Sequence, residues 1–377
     1  MSDPGKIEVC HLMGSVGMGG RESLVLDIIE NSESDFGHTI VGFRLKEDRR
    51  EPFEKVGATV KGLNFSSKLD LTEYIRLIRT VRSLSPDILH AHGPNAQLPA
   101  RFLGVPLRSE VISTHHGVKE MFPDRLIQAE TLTRRLDSAT VAVSGGVRES
   151  YPDSPFGGSW HTIHNGIDVA DFSQSVQESD GDSIRAKYDI SQEDLVFLNV
   201  GRHVAEKRQG DLIDAMSTVT EDHPTARLFI VGGRGGGPER FREQAREAGL
   251  QDNVFVTGRV ESIHPYYDLA DVFVLASTHE GLPIVILEAM TAKLAVVATD
   301  IPGVREVVDD TETGLLVPPR KPATLGRAMK ELSELDTREQ FAQTGYERVV
   351  SEFSIEQTAS AYEDLYRSIA TGSGSKI

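Results

Sequence analysis

The sequence has one cysteine, no long apolar segment and no excess of basic residues, and each shortage excludes a class of protein. Cys10 alone cannot form an intrachain disulfide or a thiolate zinc site. The longest apolar runs, such as 272–276 and 294–298, are far shorter than the ~18 residues that span a bilayer. The first residues, MSDPGKIEVC, are too polar for a secretion signal. We therefore expect a cytoplasmic protein.

The net charge argues against nucleic acid as a partner. The 377 residues include 40 Lys and Arg against 57 Asp and Glu, which gives a formal charge of −17. A nucleic-acid-binding surface needs an excess of basic side chains to neutralise phosphates. Hydrophobic residues make up 39% of the chain and charged residues 26%, which is typical of globular domains. At roughly 150 residues per domain, this length suits two or three domains.

Short β-branched runs alternate with helical patterns along almost the whole chain. Runs such as 7–13, 88–91, 196–201 and 272–276 predict buried strands, and longer amphipathic segments separate them. This alternation predicts an α/β protein with parallel, doubly wound sheets. The polar segment 173–183 predicts a linker between two halves of about six strands each.

Two glycine-rich segments, 14–22 and 232–237, each follow a predicted strand and precede a helix. The first lacks the Lys and Ser or Thr of a P-loop, and Glu22 stands at the third glycine position of a dinucleotide fingerprint. A dehydrogenase is therefore disfavoured. Such a junction can bind an anion through its backbone N–H groups, or it can be a turn with no ligand. The residues alone leave both interpretations open.

Arg202 and Lys207 follow Gly201 at another predicted strand end. Two cations beside backbone donors form a suitable clamp for a diphosphate. Exposed Lys and Arg side chains are also commonly only solvated. The pair is thus a candidate that needs support from other residues.

Glu280 and Glu288 are the most informative acidic residues. Pro283 can begin a helix just after Glu280, and Glu288 lies inside that helix among apolar residues. A carboxylate in such surroundings must accept hydrogen bonds, and vicinal sugar hydroxyls are suitable donors. A phosphate could rest on the N-terminus of the same helix. The alternative is a carboxylate that interacts with the helix dipole and a second, structural one.

No metal site is expected. Asp180 and Asp182 form a D-x-D pair, but they lie in the predicted linker without a preceding apolar strand. Four histidines lie near predicted strand ends, and no H-E-x-x-H motif or supporting set of carboxylates accompanies them: His90, His92, His115 and His116.

The order of these motifs resembles the retaining glycosyltransferases of family 4, the "glycosyl transferases group 1" type with the GT-B fold. The strongest part is the E-G-x6-E-A-M signature that runs from Glu280 to Met290. Further matching segments are 17–22, 114–117, 165–168, 201–207, 258–259, 299–306 and 313–317. The resemblance covers nearly the whole chain.

The resemblance implies two Rossmann-like, doubly wound domains that face each other across a cleft. We expect an N-terminal, acceptor-side domain at 1–172 and a nucleotide-sugar-binding domain at 183–352. The last helix, at 353–370, is expected to return to the first domain and complete it. The implied activity is transfer of a sugar from a nucleotide diphosphate donor with retained anomeric configuration, without a metal or other cofactor.

The resemblance also assigns roles to individual residues. Glu288 would bind the ribose, Arg202 and Lys207 the diphosphate, and Glu280 the hydroxyls of the donor sugar. His116, in preference to His115, would lie near the reacting sugar. The catalytic set is then His116, Glu280, Arg202 and Lys207. The donor-binding set is Gly19, Gly20, Asn165, Arg202, Lys207, Gly232, Arg259, Glu280, Gly281, Leu282, Pro283, Ile284 and Glu288.

The acceptor is the least specified part of this prediction, and a glycan, a lipid-linked molecule and a small molecule all remain open. The amphipathic segment Leu71–Leu84 carries arginines and could contact the inner face of a membrane, or it could be an ordinary surface helix. Two other functions also remain. One is a non-hydrolysing sugar-nucleotide 2-epimerase, and the other is a non-catalytic sugar-nucleotide-binding protein.

Overall fold

Buried β-branched runs form two separate parallel sheets in the computed structural model, which describes residues 5–16, 19–45, 50–67, 70–154, 158–233 and 237–371. The strands are β1 (Ile7–Met13), β2 (Phe36–Gly42), β3 (Thr59–Gly62), β4 (Ile88–His92), β5 (Glu110–His115), β6 (Ala139–Ala142), β7 (Trp160–Thr162), β8 (Val196–Val200), β9 (Arg227–Val231), β10 (Val254–Gly258), β11 (Val272–Leu275), β12 (Ala295–Thr299) and β13 (Gly314–Val317).

Helices connect the strands, as parallel pairing requires. They are α1 (Gly20–Glu30), α2 (Glu51–Lys55), α3 (Leu71–Leu84), α4 (Pro94–Leu107), α5 (Asp124–Thr133), α6 (Gly145–Ser150), α7 (Val169–Gln177), α8 (Gly181–Tyr188), α9 (Gln209–Thr220), α10 (Glu239–Glu247), α11 (His264–Leu269), α12 (Ile284–Thr291), α13 (Pro302–Arg305), α14 (Pro322–Glu331), α15 (Leu335–Glu352) and α16 (Ile355–Ala370). Within the described ranges, no helix combines the length and apolarity needed to cross a bilayer.

The chain divides into two compact units. The first unit comprises Met1–Gly166 together with Ile355–Ile377, and the second comprises Ile167–Ser354. Residues 167–172 therefore lie in the second unit, whereas the sequence prediction placed them in the first. Helix α16 belongs to the first unit, so that unit is discontinuous along the chain.

The first unit is built on a seven-stranded sheet in the order β3-β2-β1-β4-β5-β6-β7, and all of its strand pairs are parallel. Strand β3 escaped sequence analysis because it is short and only Val60 in it is buried. Helix α16 packs in this unit through a row of side chains on one face. The buried ones are Ile355, Thr358, Ala359, Tyr362, Glu363, Leu365 and Tyr366.

The second unit is built on a six-stranded parallel sheet in the order β10-β9-β8-β11-β12-β13. Its central strands are fully buried, since every residue of β8, β11 and β12 is inaccessible or nearly so. Burial on both faces explains why these strands read as continuous apolar runs rather than as alternating ones. Because these strands are parallel, their carboxyl ends meet at one edge of the sheet.

The predicted linker at 173–183 is wrong, because those residues lie mostly in helices α7 and α8. Asp168 accepts a hydrogen bond from the backbone N–H of Asp171 and caps α7. Asp180 caps α8 in the same way, by accepting from Ser183. The apolar spacing of α7 is carried by Phe172 and Val176, and Phe172 precedes the polar segment that suggested a linker.

Helix α3 matches its predicted range, and one side of it exposes large apolar side chains. Leu77 and Val81 face the core of the first unit. Leu71, Ile75 and Ile78 are 75%, 51% and 45% exposed. These three residues follow each other at helical spacing and form an apolar stripe on the surface.

Candidate functional site

In the second unit, the loops after β8, β9 and β10 lie side by side at the carboxyl edge of the sheet. The N–H of Gly201 donates to the carbonyl of Val231 at 2.9 Å, and the N–H of Gly232 donates to that of Gly258 at 2.9 Å. Gly232 has φ +128°, and a Cβ there would lie 2.0 Å from the Gly201 carbonyl oxygen. Only glycine permits this approach. The structure thus brings Gly232 close to Gly201, and neighbouring Gly233 close to Arg259.

Lys207 and Glu280, two predicted catalytic residues that are distant in sequence, form an ion pair. The Nζ of Lys207 lies 2.6 Å from Oε1 of Glu280, and the side chains are only 14% and 10% exposed. The backbone N–H of Thr278 also donates to the carbonyl of Glu206 at 2.8 Å. The loop after β8 is therefore fastened to the loop that follows β11.

Arg202 is held differently from Lys207. Its side chain is 58% exposed, and its Nη2 lies 4.0 Å from Oε1 of Glu206. Its backbone carbonyl accepts a hydrogen bond of 2.8 Å from Nε2 of Gln209. Lys207 ends a single 3-10 turn, and α9 begins two residues later at Gln209. Arg202 thus offers an accessible cation, and Lys207 a sheltered one.

Glu288 lies on α12 with one carboxylate oxygen already bonded. The hydroxyl of Tyr267 donates to Oε2 of Glu288 at 2.6 Å. Burial raises the pKa of Glu288 above its ordinary value, while the Tyr267 hydrogen bond and the charge of Lys207 oppose that rise. The sequence argument that this carboxylate must accept hydrogen bonds is therefore met in part by a tyrosine.

The start of α12 contributes backbone groups to the same region. Pro283 precedes the helix in extended conformation and makes no side-chain cap. The first N–H groups of any helix lack partners within the helix and favour anions. A Cβ on Gly303 would lie 2.2 Å from the carbonyl oxygen of Gly281, so the 280–281 backbone packs directly against α13. Of the predicted residues here, Leu282 is buried and Ile284 half-buried.

In the first unit, the adjacent residues His115 and His116 face different surroundings. The ring of His115 is buried, and its Nε2 lies 3.3 Å from Oε1 of Glu130. The Nε2 of His116 lies 3.2 Å from Nδ1 of His92, and His116 is only partly buried. This difference follows from the alternation of side chains along a strand. His116 is the accessible member of the pair, and it is the one that the resemblance selected.

Glu130 belongs to a buried ionic cluster behind His115. The guanidinium of Arg134 donates to both oxygens of Glu130, at 2.9 and 2.5 Å. Arg101 donates to both oxygens of Asp137, at 2.8 and 2.6 Å, and also contacts Glu130. Burial alone would raise the pKa of Glu130, but Arg134 and His115 hold it well below its ordinary value. The cluster fixes β5 against α4 and α5.

The glycine-rich segment after β1 is described in part. Gly17 and Met18 lie outside the described residues, as do 234–236 of the second glycine segment. Gly19 is the extended N-cap of α1, and Gly20 is its first residue. Arg21, which sequence analysis left without a role, donates to Glu22 at 2.7 Å. A Cβ on Gly93, at the end of β4, would lie 3.1 Å from Nη1 of Arg21.

The remaining predicted residues are spread over both units. Asn165 is buried next to Gly166 in the first unit, and Arg259 is exposed at the end of β10 in the second. Asp180 is engaged as the cap of α8. Ring nitrogens of three buried histidines lie within 4.8 Å of one another: His11, His90 and His92. All six of these nitrogens have hydrogen-bond partners in the protein.

Sequence reasoning missed four residues of these regions: Arg21, Tyr267, His11 and His38. Tyr267 is 21 positions from Glu288, and nothing in its local pattern points to that carboxylate. The H-x-H at 90–92 was the available signal for the histidines. It becomes informative only when the strand order places β1 beside β4 and β2 beside β1.

Comparison with known proteins gives a consistent result. Residues 180–348 match the family model described as "Glycosyl transferases group 1", and residues 18–171 match the one described as "Glycosyltransferase Family 4". The phosphatidyl-myo-inositol mannosyltransferase of Mycobacterium leprae is 30% identical over 310 residues, which cover 77% of this chain and 75% of that protein. The alpha-maltose-1-phosphate synthase of Mycolicibacterium smegmatis is 26% identical over 348 residues, which cover 83% and 86%.

The architecture also matches a solved structure along almost the full chain. The crystal structure of Anabaena HepE in complex with UDP and glucose superimposes with a TM-score of 0.83 and 19% identity, covering 96% of this chain and 100% of that chain. At that identity the likeness is one of fold. The identity and coverage shared with the mannosyltransferase extend it to the family. The chain belongs to the glycosyl transferases group 1 family of glycosyltransferases, and its two Rossmann-like units have the GT-B fold.

Proposed function

We propose that this protein transfers a sugar from a nucleotide diphosphate donor to an acceptor, with retention of anomeric configuration and without a bound metal. Family membership supports transfer of a sugar. The observation that supports the donor class most strongly is the Lys207–Glu280 ion pair, which lies at a strand-end edge that also carries Arg202 and the start of α12. Cationic side chains, helical N–H groups and acids in one region suit a sugar joined to a diphosphate.

The ribose of the donor is assigned to Glu288. Its Oε2 accepts from Tyr267 at 2.6 Å, which leaves Oε1 to accept from a ribose hydroxyl. A carboxylate accepts hydrogen bonds from two neighbouring hydroxyls more strongly than a neutral group does. Tyr267 then orients the carboxylate while the sugar supplies the remaining donors.

The diphosphate is assigned to Arg202, Lys207 and the backbone that leads into α12, residues 281–284. Negative charge grows on this group as the glycosidic bond to the donor sugar breaks. Fixed cations and oriented N–H groups stabilise that charge without the reorganisation that water would need. Such contacts accelerate the reaction because they strengthen in the transition state.

The hydroxyls of the donor sugar are assigned to Glu280, and a catalytic role is assigned to His116 of the first unit. The carboxylate of Glu280 would exchange its bond with Lys207 for sugar hydroxyls when the diphosphate engages Lys207. Four further residues complete the proposed donor-binding set: Gly19, Gly20, Asn165 and Arg259, with Gly232 keeping the loop after β9 close to Gly201.

Among the possible classes of acceptor, a lipid-linked molecule is the one that specific observations favour. One relative is named a phosphatidyl-myo-inositol mannosyltransferase. Helix α3 presents its apolar stripe of Leu71, Ile75 and Ile78 beside exposed arginines, Arg76 and Arg82 among them. An apolar stripe flanked by cations suits the surface of an anionic membrane.

The first experiment measures thermal unfolding in the presence of UDP-, GDP- and ADP-sugars. A ligand at 100 times its Kd stabilises the folded state by about 2.7 kcal/mol. We expect one nucleotide to raise Tm, and Glu288→Gln to abolish that rise.

NMR of the donor without acceptor would show epimerised sugar if the protein were an epimerase. Transfer to acceptor in the presence of EDTA, followed by the anomeric coupling of the product, tests metal independence and retention.

A further inference from the structure

Four histidines of the first unit form one continuous chain of hydrogen-bonded imidazoles. The Nδ1 of His38 lies 3.0 Å from Nε2 of His11, whose Nδ1 lies 3.0 Å from Nε2 of His92. The Nδ1 of His92 lies 3.2 Å from Nε2 of His116. Every link joins an Nδ1 to an Nε2 in the same order. We call this set the histidine chain, and it ends at a proposed catalytic residue.

The strand register produces this chain. The four residues lie on or just beyond β2, β1, β4 and β5, which are adjacent in the sheet in that order. Each histidine lies two residues further toward the carboxyl end than the residue opposite its predecessor, so all four share one face of the sheet. The residues opposite His38, His11 and His92 are Val9, His90 and Thr114.

His90 and the last helix hold this arrangement in place. The rings of His90 and His92 are 4.0 Å apart. The Nδ1 of His90 contacts the hydroxyl of Tyr366 at 2.7 Å, and its Nε2 contacts the hydroxyl of Thr114 at 2.7 Å. Because both nitrogens of His90 are engaged, its ring is fixed and so is the face against which His92 packs.

Burial favours the neutral form of every ring in the chain. Burial lowers the pKa of His38 to about 4, and it lowers those of His11 and His92 well below the ordinary value. Burial and then the charge of Arg21 lower the pKa of His116. The groups that act on His116 are Arg21 of α1, His90 of β4 and His115 of β5, while α16 contributes the phenols of Tyr362 and Tyr366 behind His90.

A neutral imidazole has one N–H and one lone pair, which makes the four rings interdependent. Each link needs an N–H on one side and a lone pair on the other. Either all four rings carry the proton on Nδ1, or all four carry it on Nε2. Any mixture places two N–H groups or two lone pairs against each other inside the protein, which is costly for buried groups.

We propose that His38, His11 and His92 are positioning residues that set which ring nitrogen of His116 carries its proton. His116 then presents its Nδ1 to a ligand in one hydrogen-bonding form only. This inference rests on the proposed function for its catalytic meaning, because that function assigns a catalytic role to His116. The tautomeric coupling itself depends only on the geometry of the ligand-free first unit.

The test is the two-bond ¹H–¹⁵N spectrum of the ligand-free full chain labelled with ¹⁵N-histidine, with His116 assigned by its loss in His116→Gln. We expect all four rings of the chain to be neutral at pH 7 and to have the same tautomer. In His92→Phe, and in the remote variant His11→Phe, the nitrogens of His116 should move to averaged shifts because both tautomers become populated. His92→Gln, which keeps hydrogen-bonding capacity, serves if the phenylalanine variant fails to fold.

His161→Gln is the matched control, because His161 is an exposed histidine on β7, outside the chain. It should leave the His116 signals unchanged. Opposite tautomers within the wild-type chain would overturn the proposal. So would unchanged His116 shifts in folded His11→Phe and His92→Phe. Stoichiometric zinc in the purified protein that is lost in His90→Asn would overturn it too, because a metal would occupy the lone pairs.

Turnover supplies a second readout. In His11→Phe, kcat should fall about tenfold while the donor KM changes less than twofold, as when a group that orients a reactive residue is removed. If the wild type transfers no sugar from any donor, the proposed function fails while the NMR result still decides the coupling. Unchanged kcat in a variant whose His116 tautomer has changed would overturn the positioning role alone.

Discussion

In the second unit, Nζ of Lys207 and Oε1 of Glu280 lie 2.6 Å apart, with both side chains largely sheltered from water. In this contact each residue neutralises the other. A bound donor would replace this contact with two new ones, a phosphate on the lysine and sugar hydroxyls on the acid. Neither side chain is therefore left without a partner before the donor binds.

Loss of either cation should reduce turnover more than donor binding. For Lys207→Ala we expect kcat to fall about 100-fold, the effect of removing one donor that stabilises a developing anion. The donor KM should change less than tenfold. Arg202→Ala should act in the same direction. Steady-state kinetics at saturating acceptor measure both quantities.

The control for these variants is Lys330→Ala. Lys330 pairs with Asp222 on the surface of the same unit, and such pairs contribute little. Its kcat should equal that of the wild type. An unchanged kcat in both Lys207→Ala and Arg202→Ala would contradict the assignment of the diphosphate.

Nucleotide binding should depend on pH through Glu288. In the proposed function the ionised carboxylate holds the ribose, and burial raises the pKa of this group. Binding should therefore weaken as the pH falls, beginning at a higher pH than for an ordinary glutamate. Tyr267→Phe removes a hydrogen bond that favours the ionised form, so it should move this loss to still higher pH. Calorimetric titration with the nucleotide between pH 4.5 and 8 measures the shift.

Tyr266→Phe is the matched comparison, because Tyr266 is the adjacent residue and packs against Phe229 instead. Its binding curve should overlay that of the wild type. Coincident curves for Tyr267→Phe and the wild type would argue against a ribose contact at Glu288.

Gly232→Ala should destabilise the second unit and abolish donor binding. A methyl group there would lie 2.0 Å from the Gly201 carbonyl oxygen, in addition to the strain of φ +128°. Gly249 has φ +72° with nothing within 4 Å of a Cβ, so Gly249→Ala carries the backbone strain of about 1–2 kcal/mol alone. We expect Gly232→Ala to lose at least ~2 kcal/mol more in urea unfolding. Equal losses would show that close packing of the two loops has no role.

Arg134→Met should destabilise the first unit by about 3–5 kcal/mol, because it leaves Glu130 buried without its main partner. Arg125→Met, an exposed change on the helix that carries Glu130, should cost less than about 0.5 kcal/mol. Since Arg134 and His115 hold the folded-state pKa of Glu130 low, this stability is present above the ordinary glutamate pKa. It is lost as the pH falls toward the folded-state value. Urea unfolding of the wild type and both variants at pH 7 and pH 4 tests this.

Vesicle sedimentation tests the apolar stripe of α3. The triple change Leu71→Ser, Ile75→Ser and Ile78→Ser should reduce binding to vesicles rich in phosphatidylglycerol at least tenfold, because it removes the buried apolar area. Kinetics with a soluble acceptor should not change. Leu335→Ser, at an exposed leucine of α15, is the control. Failure of the wild type to bind these vesicles would remove the membrane from the proposal.

The sequence predicts most strands and the strand-end residues correctly, because buried parallel strands carry their pattern locally. It predicts Leu71–Leu84 to the residue. Contacts between elements that are distant in sequence cannot be predicted from such a local pattern. Tyr267 meets Glu288 only because α11 packs near α12, and His38 joins His116 only through two intervening strands. The error at 173–183 has another cause: short capped helices with exposed faces have the composition of a loop.

Helix α16 has a consequence for the order of events during synthesis. The strands of the first unit leave the ribosome early, yet Tyr366, which anchors His90, follows only after every residue of the second unit has been made. The second unit is continuous along the chain and can fold as soon as it has emerged. The first unit keeps part of its core exposed until α16 has been made. The first unit, whose residues emerge first, is thus the unit that completes its folding last.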